Sequence, residues 1–181
     1  MAHIPLIEDR DTLDAEGQAA WDHVASSRGR IVGPYKAMLH SPELAKRVAD
    51  LGTFIRFESV LPGTVRELAI ISTARVLDCR FEWAAHSEIA RQEGVREEAI
   101  QAIRARSADG LTEEEADIWA YANQLLAAHR SKPATIAALE ARYGRRGLVE
   151  LTGTIGYYSC IAAQLNGFDV EPWDGADDLS A

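Results

Sequence analysis

Helix-start and helix-stop signals recur along the whole chain, and few stretches alternate in the way that β-strands do. Ser41 followed by Pro42 marks one helix start, and Thr112 with Glu115 forms another, the capping box. Gly94 is a natural helix terminator, because glycine adopts left-handed backbone angles at low cost. These signals predict seven or eight helices joined by short loops. The expected fold is therefore an all-α, single-domain helical bundle.

The same signals predict where individual helices lie. Thr64 and Glu67 fit a second capping box, which on its own explains Glu67 as a structural residue. The helices expected after the one that starts at Pro42 span residues 64–77, 79–93, 96–106, 112–129, 133–144 and 148–166. They define a core at about 41–167 within one domain over 1–181. The first dozen residues and the tail after Gly167 are expected to be non-helical, with Trp173 docking the tail.

Charge and hydropathy exclude several classes of protein. The net charge of −9 disfavours nucleic acid as a partner, because phosphate binding needs clustered Lys and Arg. No apolar run approaches the roughly 20 residues that span a bilayer, and the N-terminus lacks a signal-peptide pattern. A cytoplasmic protein without membrane contact is expected. Cys79 and Cys160 are then thiols rather than a disulfide.

The stretch from Cys79 to His86 concentrates reactive side chains. On a helix at 100° per residue, Cys79, Glu82, Trp83 and His86 fall on one face, and Glu82 and His86 form an i,i+4 pair. Ionisable groups inside an apolar stripe cost several kcal/mol unless they are paired. Structural explanations exist for each residue alone: a small core cysteine, or a surface glutamate paired with the histidine. Their combination favours a functional site.

At this point the sequence resembles a known family. The run from Arg66 to Arg75, then Cys79-x-x-Glu82-Trp83-x-x-His86, is similar to the core of the carboxymuconolactone decarboxylase family. That family shares its helical fold with alkylhydroperoxidase D. The alkylhydroperoxidase branch carries Cys-x-x-Cys before the histidine, and here Glu82 occupies the place of the second cysteine. A cysteine pair that could cycle through a local disulfide is therefore missing, which disfavours thiol peroxidase activity.

The resemblance implies a cofactor-free lyase of aromatic catabolism that removes CO2 from a small acidic unsaturated lactone or related carbonyl compound. His86 would carry the proton, since imidazole titrates near neutrality, with Glu82 and Glu67 orienting it and Cys79 nearby. The expected substrate-binding residues are Trp83, Tyr157, Tyr158, Arg75 and Arg66. For the two tyrosines, aromatic packing is an equally good explanation. The family pattern does not distinguish decarboxylation from retro-aldol cleavage or double-bond migration.

Three alternatives remain open. Cys79 could act as a single reactive thiol, in a redox or peroxidase-like protein, if Glu82 or water bridged it to His86. A metal site formed by these residues is less favoured, because Cys79 and His86 lie about two helical turns apart, and no metal is expected. The chain could also be a non-catalytic small-molecule-binding protein. The resemblance implies a homo-oligomer, a trimer or hexamer, with the pocket near a subunit interface.

Overall fold

The structure, a computed structural model, describes residues 2–179; Met1, Ser180 and Ala181 of the expected domain lie outside this range. Within it the chain forms eight α-helices and no β-strand, so the all-α prediction is confirmed. The helices are α1 Ala15–Arg28, α2 Gly33–Met38, α3 Pro42–Thr53, α4 Gly63–Val76, α5 Arg80–Gln92, α6 Glu97–Arg104, α7 Glu113–Leu126 and α8 Pro133–Gly167. A 3-10 turn precedes α1, and a π-helical turn, Phe54–Glu58, continues α3.

Helix α4 lies at the centre of the bundle, packed against α5, α7 and α8. Ala69, Ile70 and Ile71 are completely buried, and most of the helix has no solvent-facing side. A helix buried all round carries apolar residues on every face rather than in one stripe. None of the helices in residues 2–179 has the length and apolarity to cross a membrane.

The helix ends that depend on local hydrogen bonds follow the sequence signals. Thr112 and Glu115 form both hydrogen bonds of the capping box at the start of α7. Gly94, just after α5, has φ of 91°, the left-handed backbone that ends a helix, and Gly110 has φ of 79° in the loop between α6 and α7. Pro42 occupies the first turn of α3.

Two helix starts differ from the prediction, and the helix end expected at Gly144 is present as a kink. The capping box at Thr64 is wrong: α4 begins after Pro62 without a side-chain cap, and the Glu67 carboxylate contacts another helix. Cys79 precedes α5 as its N-cap residue, because Asp78 at φ 49° turns the chain there. Gly144 has the non-helical angles φ 69° and ψ 172°, so α8 consists of two helical parts that meet in a kink there, as this glycine predicted.

The chain after α8 folds back onto the bundle. Trp173 packs edge-on against Phe81, with ring centroids 5.9 Å apart, so the expected docking residue is in contact. Acidic residues of the tail form ion pairs with arginines of α5 and α6: Glu171 and Asp178 with Arg80, and Asp177 with Arg91 and Arg104. The tail is thereby held beside α5.

Candidate active site

His86 on α5 lies between two glutamate side chains. Its Nδ1 donates a hydrogen bond of 2.7 Å to Oε2 of Glu67, which comes from the first turns of α4. Its Nε2 lies 3.4 Å from Oε2 of Glu82, one turn earlier on α5. All three side chains are at least nine-tenths buried. An imidazole held between two carboxylates in this way can bind, keep and deliver a proton.

The side of His86 that faces Glu67 is closed and charge-balanced. Glu67 also accepts a hydrogen bond of 3.2 Å from Nε of Arg66, which in turn contacts Glu93. Burial raises the pKa of Glu67, but the charges and hydrogen bonds of His86 and Arg66 outweigh it, so the pKa is below its ordinary value. Burial lowers the pKa of His86, but the adjacent Glu67 and Glu82 raise it overall. This geometry favours an imidazolium–carboxylate pair.

Glu82 has the opposite electrostatic environment. Burial raises its pKa, and this effect exceeds the opposing attraction of His86 and of Arg56. The His86 ring also meets the Tyr158 ring edge-on, with centroids 4.9 Å apart. Glu82 is therefore the carboxyl of the site that most readily holds a proton.

Glu82 and His86 open onto a cavity of about 730 Å³. A volume of this size holds a small organic molecule. Its apolar and aromatic wall includes side chains from the α1–α2 loop, α2, α5, α8 and the tail: Ile31, Val32, Tyr35, Phe81, Ile89, Tyr157, Tyr158, Ile161, Val170 and Trp173. The docked tail thus supplies part of the wall.

Three arginines line the same cavity and were not predicted: Arg28, Arg30 and Arg56. Within residues 2–179, none of them has a carboxylate at ion-pair distance, whereas Lys36 on the same wall is paired with Glu8. The guanidinium of Arg28 lies 4.6 Å from the centre of the Tyr35 ring. Cations without anionic partners on a cavity wall favour an anionic ligand.

A pair of tyrosine hydroxyls forms another polar group of the cavity. Tyr35 and Tyr157 share a hydrogen bond of 2.9 Å, although they are 122 positions apart in the chain. Burial raises the pKa of both tyrosines, so both remain neutral hydrogen-bond donors at ordinary pH. Gly52 on α3 makes this arrangement possible, because a Cβ there would overlap the Tyr157 hydroxyl and the Arg28 guanidinium.

The predicted site residues divide into two groups. Glu82, His86, Tyr157 and Tyr158 line the cavity, and Glu67 reaches it through His86. The other four do not line it. Cys79 and Trp83 are completely buried in the core, and burial together with nearby Glu82 raises the pKa of the Cys79 thiol to about 12.

The two arginines predicted to bind a substrate carboxylate lie elsewhere. Arg66 is occupied by Glu67 and Glu93. Arg75 contacts Asp78 and donates to the carbonyl of Arg104 at 2.7 Å. Both arginines belong to α4. The residue of α4 that is linked to the cavity is Glu67, through its hydrogen bond to His86. In the part of the chain that the structure describes, no group of three or more His, Cys, Asp or Glu side chains is arranged to hold a metal ion.

Comparison with known proteins agrees with this arrangement. Residues 42–124 match the model of the carboxymuconolactone decarboxylase family. The resemblance to this family is confirmed over that segment. The match contains Glu67, Cys79, Glu82 and His86, the residues on which the resemblance was based. No curated protein sequence matches the chain.

Several solved structures share the fold of this chain. A peroxidase-related protein from Ralstonia eutropha JMP134, described as an alkylhydroperoxidase AhpD core, has a TM-score of 0.78 at 14% identity, covering 96% of this chain and 93% of that one. The debrominase Bmp8 has a TM-score of 0.74 at 15% identity, covering 93% and 91%. A cysteine-to-alanine variant of Bmp8 in complex with 2,3,4-tribromopyrrole has a TM-score of 0.76 at 14% identity, covering 96% and 95%. The fold is that of the alkylhydroperoxidase D-like superfamily.

Proposed function

We propose that this chain is an acid–base lyase that needs no cofactor and acts on a small carboxylate-bearing carbonyl compound. One observation carries the proposal: a buried glutamate–histidine–glutamate group, Glu67, His86 and Glu82, opens onto a cavity of about 730 Å³ that arginines line. The match of residues 42–124 to the carboxymuconolactone decarboxylase family makes decarboxylation the first reaction to test.

The proposed decarboxylation has two steps, the loss of CO2 and the protonation of carbon. The bond between the substrate carbon and its carboxylate breaks, CO2 leaves, and the bonding electrons move into the conjugated carbonyl to give an enolate. The enolate carbon then takes one proton from Glu82 or His86, and water restores that proton to the enzyme. Glu67 keeps the imidazole of His86 in one orientation, and the hydroxyls of Tyr35 and Tyr157 are placed on the wall as donors to an enolate oxygen.

A single-thiol activity has less support from the geometry. Cys79 is completely buried, its pKa is raised to about 12, and it does not line the cavity. The thiolate is the reactive form of cysteine, so a thiol in this environment is a poor nucleophile. Two structural neighbours, a peroxidase-related protein and a debrominase, keep thiol chemistry as the alternative to test.

The test uses carboxymuconolactone with purified protein in D2O. We expect CO2 release and one deuterium on the product carbon, because the proton carrier exchanges with solvent before it protonates the enolate. His86→Gln removes the carrier and should lower the rate by about 10²–10⁴-fold, the usual contribution of general acid–base catalysis.

His23→Gln is the matched control, since His23 is exposed on α1, pairs only with Asp50 and does not line the cavity. The two variants should fold equally well by circular dichroism. Undiminished CO2 release by His86→Gln contradicts the assignment. Peroxide reduction that depends on Cys79, with no CO2 release, would establish the thiol alternative instead.

We also propose that the chain forms a homo-oligomer, a trimer or hexamer as the family resemblance implies. Leu51 and Val149 are large apolar side chains exposed at a second groove between α3, the π-helical turn and α8, and Phe57 of that turn is exposed as well. Light scattering after size exclusion measures the mass directly. Val149→Glu should shift the assembly toward the 19.8 kDa monomer if this surface is buried between copies.

A further inference from the structure

Arg56 occupies an unusual backbone position beside the acid–base residues. It belongs to the π-helical turn Phe54–Glu58 that continues α3, and its guanidinium lies 5.2 Å from the centre of the Phe57 ring. π-Helical turns are rare and occur frequently at functional sites, because they hold a side chain where a regular α-helix would not. Arg56 is half-buried and lines the same cavity as Glu82 and His86.

The charge of Arg56 is not neutralised by an ion pair. No carboxylate among residues 2–179 lies within ion-pair distance of its guanidinium, in contrast to Arg66, Arg75 and Arg80 nearby in the fold. A guanidinium presents parallel N–H donors that fit both oxygens of a carboxylate. A ligand carboxylate bound there would lie next to the two residues that handle protons.

We propose that Arg56 receives the substrate carboxylate and thereby couples substrate binding to the uptake of the proton that Glu82 later delivers. This inference rests on the proposed function, because the delivered proton is the one that the enolate consumes. One proton is taken up and one is delivered: the Glu82 carboxylate takes a proton from water when the ligand binds, and gives it to carbon after CO2 has left.

Arg56 can couple ligand binding to proton uptake because it acts electrostatically on both Glu82 and His86. Its positive charge lowers the pKa of Glu82 and of His86, against the other influences described above. A carboxylate on the guanidinium cancels that charge, so the pKa of Glu82 rises and the carboxyl gains a proton. The other titratable groups that interact electrostatically with Glu82 or His86 are Glu67, Cys79, Tyr35, Tyr157 and Tyr158.

The experiment measures proton uptake with a carboxylate that cannot react. Glutarate is titrated into the full chain by calorimetry in two buffers of different ionisation enthalpy, and the uncharged diamide of glutarate is the ligand control. We expect glutarate to bind with net proton uptake, and its affinity to increase as the pH falls. Binding of the diamide with equal affinity would overturn the proposal.

Variants of Arg56 test whether its positive charge is responsible for glutarate binding and proton uptake. Arg56→Gln should weaken glutarate at least tenfold and abolish proton uptake, whereas Arg56→Lys should retain uptake with weaker binding. Arg47→Gln is the matched control, because Arg47 lies exposed on α3, contacts only Glu43 and does not line the cavity. Unchanged affinity and uptake in Arg56→Gln would contradict the role of this residue.

Glu82→Gln identifies the proton acceptor. This variant should still bind glutarate but without proton uptake, and uptake equal to the wild type would show that another group takes the proton. Because glutarate is not consumed, these results do not depend on turnover. Coupled binding without CO2 release would contradict the proposed reaction alone, whereas CO2 release without coupled binding would contradict only the role of Arg56.

Discussion

The two sides of His86 are chemically different, although each presents a glutamate. On the Glu67 side, Arg66 and the imidazole surround a carboxylate and keep its pKa low. On the Glu82 side, burial dominates, the pKa is raised and the carboxyl faces the cavity. One glutamate is therefore suited to hold a charge permanently, and the other to exchange a proton. Residue type alone does not assign these roles, because the environment assigns them.

Glu67→Gln should produce the largest change in stability, since it removes the carboxylate that stabilises the buried imidazolium. We expect the free energy of unfolding to fall by about 2 kcal/mol near neutral pH, less than the ~3–5 kcal/mol typical of a broken buried ion pair, because His86 can lose its proton. Urea unfolding measures the difference. Glu98→Gln, at an exposed position of α6, is the control. Equal stability of Glu67→Gln and wild type would mean that the pair contributes nothing.

The pH dependence of the stability difference between wild type and Glu67→Gln tests the charge states of Glu67 and His86. The lowered pKa of Glu67 means that its stabilising contribution is present above the unfolded-state value near 4.5 and is lost as the pH falls through the folded-state pKa. The raised pKa of His86 means that its contribution is complete below about 6.5 and is lost as the pH rises through the folded-state pKa. The gap between wild type and Glu67→Gln should therefore be widest between these limits. Unfolding measured across the pH range would show a constant gap if the pair were uncharged.

Glu82→Gln should change the free energy of unfolding in the opposite direction to Glu67→Gln. Since the raised pKa of Glu82 disfavours its carboxylate in the folded chain, a neutral amide should increase the free energy of unfolding by about 1 kcal/mol above pH 6. The gain should vanish below the unfolded-state pKa, where the wild-type residue is already protonated. The same urea experiments at pH 4 and pH 7 provide the comparison. A loss of stability at pH 7 would show that the Glu82 carboxylate stabilises the fold, as the Glu67 carboxylate is expected to do.

Cys79→Ala should have the smallest effect on activity. The thiol is outside the cavity, so the rate of CO2 release should stay within about twofold of the wild type, while removal of the buried sulfur costs stability of about 1 kcal/mol. Labelling with a thiol reagent should modify exposed Cys160 rapidly and buried Cys79 slowly. A strong loss of activity would move the chemistry from His86 to the cysteine.

The features that could be predicted from the sequence depend on neighbouring residues. The capping box at Thr112 and the left-handed Gly94 need only local hydrogen bonds and backbone angles, and both are present in the structure. The capping box expected at Thr64 failed because Glu67 forms a tertiary contact with a histidine 19 positions away. Local signals therefore predicted the helices, but could not show which polar residues are used between helices.

The cavity wall was largely beyond prediction for the same reason. The i,i+4 spacing of Glu82 and His86 identified the reactive stretch, and the aromatic pair on α8 was expected near it. Arg28, Arg56 and Tyr35 carry no local signal, because they reach the cavity from other parts of the chain. The tyrosine pair spans 122 positions, and only the folded bundle brings the two hydroxyls together.

The lining of the cavity has a consequence for how relatives diverge. The segment 42–124 that matches the family model contains Glu67, Glu82 and His86, the residues of the proposed acid–base group. Arg28, Tyr35, both tyrosines of α8 and the docked tail lie outside that segment, yet they line the cavity. Much of the cavity wall is thus encoded outside the stretch that carries the three acid–base residues. On the proposed function, changes confined to the outer stretches would alter the wall that a substrate meets while Glu67, Glu82 and His86 stay in place.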